Sequence, residues 1–292
     1  MWSAPAKLNL GLRIVGRRSD GYHLLESLFW PISFQDELLI QPSSLSSLSC
    51  AWSEDAVFRN VSLHQGEENL VGTLLLGGFG WKPSRGLSVE IKKRIPIGSG
   101  LGGVSSNVGS LLRYLCDQNE ITQTQAEHLA KQAGADVSFF LNPTPSWVTG
   151  VGEVRNPLLL HPGTKDSFYF LLLLFPFATP TPLLFKLFRE SNLPFSPSTP
   201  MDIKQTWDFI SLHRFLECTK NDLEPLAASQ SSEISRALES LRITGPLYSG
   251  LSGTGSTCFA VYPSKEKRAE AAKELQNLCR DLPCRSVLAE TY

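Results

Sequence analysis

Residues 96–106 read Pro-Ile-Gly-Ser-Gly-Leu-Gly-Gly-Val-Ser-Ser, with glycines at 98, 100, 102 and 103 ahead of Ser105 and Ser106. Glycine lets a backbone turn tightly and approach a ligand with no Cβ in the way, and unpaired N–H groups at a helix start add positive potential. The segment is suited to cradling a phosphate. It is not the P-loop signature: Gly98 and Gly103 have that motif's separation, but Val104 stands where its lysine belongs. A dinucleotide fingerprint fits no better, since its glycines follow the first strand of a βαβ unit and an acidic residue comes about 20 residues later. The phosphate charge must be met by other residues. Phosphoryl transfer also needs a cation on the transferring group and an oriented hydroxyl, whose proton a carboxylate can take. Lys7 and Asp136 can fill those roles. The plain alternatives are a solvated strand lysine, a helix-capping or structurally ion-paired aspartate and, for the whole, a nucleotide binder without catalysis.

The elements that must position these groups are visible as periodicity. Leu87, Val89 and Ile91 alternate with polar residues ahead of the loop, the mark of a half-buried strand; Val108, Leu111, Leu112, Leu115 and Cys116 form one stripe of a helix after it. Ala6, Leu8, Leu10, Leu12 and Ile14 alternate with Lys7, Asn9, Gly11 and Arg13, predicting an N-terminal strand. Lys7 and Asn9 then share its other face, about 7 Å apart. Arg18–Gly21 reads as a turn, Tyr22–His23 enter a second strand ending near Trp30–Pro31, and 36–41 is a third; 43–49 is serine-rich and reads as a surface loop. A helix is expected over 68–79, and Thr122 with Gln125 forms a capping box for another that stops at Gly134. Trp147–Val154 reads as a strand. In the second half, Phe168–Phe177 is a strand and Thr181–Pro182 opens a helix carrying Leu184, Phe185 and Phe188. Residues 190–200 read as a loop, a helix starts at Asn221, and the glycine-rich turn 249–256 leads into the strand Cys258–Tyr262 and a last helix from Ser264.

A chain of 292 residues suits two domains, and 42% apolar with 19% charged residues is ordinary globular composition. Its net charge of −1 argues against a nucleic-acid or anionic-membrane surface. The start lacks the basic and apolar regions of a signal peptide, and the apolar run 168–177 is too short to span a bilayer. Six cysteines without a CxxC pair read as reduced packing residues of a cytoplasmic protein.

Five segments stand in the order of the GHMP kinase motifs: Pro5-Ala6-Lys7-Leu8-Asn9-Leu10, Asp20-Gly21-Tyr22-His23, Pro96 to Asn107, Gly134-Ala135-Asp136-Val137 and Ser252-Gly253-Thr254-Gly255-Ser256. The chain resembles that family over nearly its whole length. Its Lys-Leu-Asn and Asp-Gly-Tyr-His segments are similar to those of members that phosphorylate 4-diphosphocytidyl-2-C-methylerythritol in the non-mevalonate (MEP) isoprenoid pathway. The resemblance implies an α+β fold of two domains, a ribosomal-S5-domain-2-like ATP-binding domain over 1–155 and a ferredoxin-like substrate-side domain over 156–292, with a cleft between them. It implies transfer of the ATP γ-phosphoryl group to the 2-hydroxyl of that small molecule, with Mg²⁺ and no obligate protein partner. By motif position, Asp136 is the base, Lys7 its partner, and Asn9 positions the methylerythritol end. Asp20 and Thr181 are expected to bind substrate, and Tyr22 and His23 to hold the cytosine, by stacking and by hydrogen bonds to its edge, with Phe185 supplying the opposite face; core packing is the other role open to Phe185. Pro96, Gly98, Ser99, Gly100, Leu101, Gly102, Gly103, Ser105 and Ser106 are expected to wrap the ATP phosphates, with Ser106 as the Mg²⁺ ligand. Asn69 and Lys93 would lie toward the nucleoside, and Gly253 and Thr254 would close the site. Ser99 and Val104 replace glycines usual in these kinases, and Ser138 a frequent proline. Relatives acting on homoserine, mevalonate or a sugar are the alternatives within the family.

Overall fold

The structure, a computed structural model, describes residues 1–59, 62–198, 201–202 and 204–292; Thr199 and Pro200 of the loop expected after Glu190 lie outside them. The chain divides into two compact units that interleave in sequence. The first takes Met1–Ala6, Phe34–Ile97 and Gly102–Pro143; the second takes Lys7–Ser33, Gly98–Leu101 and Thr144–Tyr292. Where one boundary was expected after residue 155, the N-terminal strand Trp2–Arg17 and the glycine loop each contribute to both.

In the first unit, Gly86–Lys93 is a strand with Leu87, Val89, Ile91 and Lys93 on its buried face. It pairs antiparallel with the end of the long strand His23–Ser43, Ile40 opposite Val89, and parallel with Ser47–Trp52, Leu48 opposite Val89. The serine-rich stretch read as a loop is thus partly strand. The helices Gly103–Asp117 and Gln123–Ala133 close the core with Val108, Leu111, Leu112, Leu115, Ala126 and Leu129. The Thr122–Gln125 capping box is formed. Gly109 must be glycine here, because a Cβ would come 2.4 Å from that of Phe140. The helix expected over 68–79 is shorter, Leu70–Leu75, ended by Gly77 at φ +91°.

In the second unit, four antiparallel strands lie in the order Tyr248–Leu251, Cys258–Tyr262, Tyr169–Leu174, Arg285–Glu290. The helices Thr181–Glu190, Glu224–Gln230, Ser232–Ile243 and Lys265–Leu278 supply Leu184, Phe188, Ala227, Leu238 and Leu275 to the core that covers them. The strand expected to stop near Pro31 instead runs on to Ser43, since Pro31 needs only its carbonyl, which accepts from the Tyr292 N–H. The strand expected over 147–154 is two, Ser146–Thr149 and Val154–Pro157, because Gly150 and Gly152 turn it at φ +73° and +114°. Among the described residues no helix is long and apolar enough to cross a membrane.

Candidate active site

The alternation along Trp2–Arg17 produces a strand whose polar face is also buried: Lys7 is 4% exposed and Asn9 1%. A lysine in that position is no solvated strand residue. Its ammonium donates to Asn9 Oδ1 and lies 4.7 Å from the centre of the Phe29 ring. Asn9 is held in turn, its Nδ2 donating to Ser27 Oγ at 2.9 Å and Ser27 Oγ donating to the Gly11 carbonyl at 2.6 Å. The turn 252–255 closes over this pair. Gly253 sits at φ +58°, and a Cβ there would lie 3.2 Å from Asn9 Oδ1 and 3.7 Å from Lys7 Nζ. Asn221 fixes the turn by donating from Nδ2 to the Leu251 and Gly253 carbonyls, both at 2.8 Å.

Residues 98–101 of the glycine loop are anchored to the same turn. Ser252 Oγ donates to the Gly100 carbonyl at 2.9 Å, the Thr257 N–H to the Ser99 carbonyl at 3.1 Å, and the Lys7 N–H to the Leu101 carbonyl at 3.0 Å. A Cβ on Gly100 would lie 2.1 Å from the Ser252 carbonyl oxygen, and one on Gly98 2.6 Å from Ala178 Cβ. Gly98, Gly100 and Gly102 all take positive φ, +67°, +79° and +71°, the kind of backbone alternation that can turn successive N–H groups toward an anion. Ser99 and Leu101 are buried within this packing.

From Gly102 the chain belongs to the first unit and starts the helix Gly103–Asp117 with no side-chain cap. Val104 lies inside that helix with ordinary backbone, so its departure from glycine is absorbed. The Ser106 hydroxyl is fully buried and has no hydrogen-bond partner among the described residues, whereas Ser105 is half-buried. A buried orphan hydroxyl in the first turn of an uncapped helix fits a phosphate with a hard cation, which takes oxygen ligands.

Lys93 ends the strand ahead of this loop, and Asn69 opens the helix Leu70–Leu75. The Lys93 ammonium is paired with Asp36 in the core and donates to Asn107 Oδ1 at 3.1 Å; Asn107 Nδ2 donates to Asp36 Oδ2 at 2.9 Å. Asp36 also accepts the Arg94 and Ile95 N–H groups at 2.7 and 2.9 Å, fixing the backbone just ahead of Pro96. Lys93, expected toward the nucleoside, is therefore committed to a buried pair. Asn69 caps the helix Leu70–Leu75, accepting from the Val71 N–H at 3.0 Å and donating to the His64 carbonyl at 3.2 Å. Asp36 and Asn107 were not singled out in the sequence, nor were Ser27, Asn221 and Ser252; the one signal for Asp36 is a carboxylate inside an apolar strand pattern.

Asp136 heads the single helical turn Val137–Phe140 in the first unit, half-buried, and its carboxylate does not cap that turn. The capping alternative therefore does not describe it.

In the second unit a cavity of about 570 Å³ is lined by Asp20, Tyr22, His23, Thr181 and Phe185, together with Arg17. Five of the residues expected to bind substrate thus line one cavity. Thr254 joins their edge through a 2.9 Å hydrogen bond between its hydroxyl and that of Thr181. Asp20 accepts the Tyr22 N–H at 3.2 Å and pairs with Arg18 at 2.5 Å, so it shapes the turn carrying Tyr22. Tyr22 is 65% exposed at the rim. His23 is buried and stacks on Phe185, centroids 5.1 Å apart and planes 20° from parallel. A base between two rings needs them roughly 7 Å apart, twice a van der Waals contact. His23 and Phe185 therefore do not face each other across a base, which leaves the expected stacking role to Tyr22 and the expected edge hydrogen bonds to His23. Phe185 also packs against the core. Burial, then the Arg17 and Arg189 charges, hold His23 below its ordinary 6.5, keeping it neutral with one ring nitrogen a donor and the other an acceptor.

Two family models match the chain, the GHMP kinases N terminal domain over residues 69–142 and the GHMP kinases C terminal over 208–281. The chain is 34% identical to the 4-diphosphocytidyl-2-C-methyl-D-erythritol kinase of Ruegeria pomeroyi over 92% of its length and 90% of the relative's. It is 33% identical to the kinase of the same name from Chelativorans sp., over 92% and 89%. A crystal structure of 4-(cytidine 5'-diphospho)-2C-methyl-D-erythritol kinase matches with a TM-score of 0.73 at 28% identity, covering 99% of both chains. Homoserine kinase from Cytophaga hutchinsonii matches with a TM-score of 0.67 at 15% identity over 99% and 93%, a likeness of fold. The chain belongs to the GHMP kinase family of ATP-dependent small-molecule phosphotransferases.

Proposed function

We propose that the protein transfers the γ-phosphoryl group of ATP to the 2-hydroxyl of 4-diphosphocytidyl-2-C-methyl-D-erythritol, in the cytoplasm and without an obligate protein partner. The observation that carries this reading is the aromatic cavity of Tyr22, His23 and Phe185, which a kinase of homoserine, mevalonate or galactose would not need. Aromatic faces bind a base whatever its charge, and a neutral imidazole can both donate to and accept from the cytosine edge. The kinases of Ruegeria pomeroyi and Chelativorans sp. carry that substrate in their names.

In this reading Asp136 accepts the proton of the 2-hydroxyl, and Lys7, desolvated and aimed by Asn9, offsets the charge that develops on that oxygen. A loose transition state asks little of the nucleophile, so orientation is the larger part of what Lys7 and Asn9 contribute. The loop 98–103 and the uncapped start of the helix Gly103–Asp117 receive the ATP phosphates through backbone N–H groups. Ser106 Oγ is the candidate ligand for Mg²⁺, which when bound neutralises charge on the phosphate oxygens. The test is the double variant Tyr22→Ala, Phe185→Ala: KM for the cytidyl substrate is expected to rise at least tenfold while KM for ATP holds, and an unchanged KM for the cytidyl substrate contradicts the reading.

A further inference from the structure

The aromatic cavity has a neighbour. A second hollow of about 290 Å³ lies against Phe188 and Phe195, and the two share a wall made of Arg17, His23 and Arg189. Arg17 ends the strand Trp2–Arg17, and Arg189 lies in the last turn of the helix Thr181–Glu190. Two arginines from distant parts of the chain are thus brought to one wall with a buried imidazole. Both fields reach His23, since each opposes its protonation.

Neither arginine forms an ion pair among the described residues. The one carboxylate lining either hollow, Asp20, is already paired with Arg18. Arg17 spends only its Nε, on the Gly21 carbonyl at 3.2 Å. Two like charges on one wall repel each other, and a bound anion removes that repulsion. Guanidinium forks suit phosphate oxygens, which they bind in pairs of charge-assisted hydrogen bonds.

We propose that Arg17 and Arg189 form the anion subsite of the aromatic cavity and hold the diphosphate of a cytidine diphosphate ester, selecting it over uncharged cytidine. The inference rests on the cytidyl reading above and adds the residues that read the substrate's charge. The rings take the base, which carries no charge; the arginines then decide which cytidine derivatives bind well.

Calorimetric titration with cytidine, CMP and CDP tests it, on the wild type and on Arg17→Gln, Arg189→Gln and the double variant. CDP is expected to bind the wild type at least tenfold more tightly than cytidine, each single variant to weaken CDP about tenfold, and the double variant to lose the preference with cytidine affinity unchanged. Lysine at both positions should restore part of the preference, and added salt should weaken CDP binding in the wild type more than in the double variant. Both side chains are exposed, and unchanged melting temperatures check that the variants fold. A CDP preference that survives in the double variant overturns the proposal. A wild type that turns over the cytidyl substrate yet binds CDP no better than cytidine overturns the subsite alone; failure to bind either probe, with no turnover, contradicts the cytidyl reading as well.

Discussion

The ammonium of Lys7 is hydrogen-bonded to the amide oxygen of Asn9, two residues along the same strand, with both side chains buried. Asn9 presents that oxygen because Ser27 takes its amide nitrogen. Asn9→Leu should therefore lower kcat by about 100-fold, by removing the amide oxygen that helps aim the Lys7 ammonium. Ser27→Ala should cost less, about tenfold, since Asn9 keeps its contact with Lys7 but loses the group that orients it. Steady-state kinetics with saturating ATP check both, and kcat within twofold of wild type for Asn9→Leu would contradict the role given to the pair.

Asp36 tests the distinction between holding the loop and binding nucleotide. It takes a buried ammonium, an amide and two backbone N–H groups, so Asp36→Ala strands Lys93 in the core and should destabilise the protein by roughly 3–5 kcal/mol. Urea unfolding measures this. Tyr22→Ala, at an exposed rim position, should shift stability by no more than about 0.5 kcal/mol.

Gly100 and Gly253 should each be intolerant of alanine, for different reasons. At Gly100 a Cβ collides with the Ser252 carbonyl, which cannot move without releasing the loop from the turn. At Gly253 the space is tighter than usual but open, and the strain is that of a left-handed φ, about 1–2 kcal/mol. Gly100→Ala should raise KM for ATP and lower the melting temperature; Gly253→Ala should act mainly on kcat, through Asn9 and Lys7.

His23 predicts a pH dependence whose sign follows from its lowered pKa. The folded state keeps the imidazole neutral below pH 6.5, where the unfolded chain begins to take up a proton. Below that pH the unfolded state binds more protons, so stability falls as pH drops and levels off once the folded state also protonates. Above it the histidine contributes no slope. The urea midpoint of the wild type should therefore fall further between pH 6.5 and 5 than that of His23→Gln. NMR titration of the His23 ring should show its pKa rise toward the ordinary value in Arg17→Gln.

Much of the site was legible because it is carried by local pattern. Period-2 alternation put Lys7 and Asn9 on one face, glycine spacing located the loop 98–103 ahead of its helix, and the Thr122–Gln125 box fixed the helix leading to Asp136. What alternation could not tell was that the polar face of Trp2–Arg17 is buried too, since that depends on residues such as Ser27 and Gly253 far along the chain. Lys93 looked available because its partner, Asp36, lies 57 residues away. The contact of His23 with Phe185 was hidden for the same reason: it joins a strand to a helix some 160 residues later, and only tertiary packing sets their separation. Pro31 was read as a strand end because local rules penalise its missing N–H, yet the sheet there uses only its carbonyl.

The most direct test of the account is ADP release from Mg-ATP with 4-diphosphocytidyl-2-C-methyl-D-erythritol, beside homoserine, mevalonate and galactose, for the wild type and Asp136→Asn. The account predicts turnover with the cytidyl substrate alone, reduced at least 100-fold in the variant. Turnover with another alcohol in its place, or a variant as active as the wild type, would contradict it.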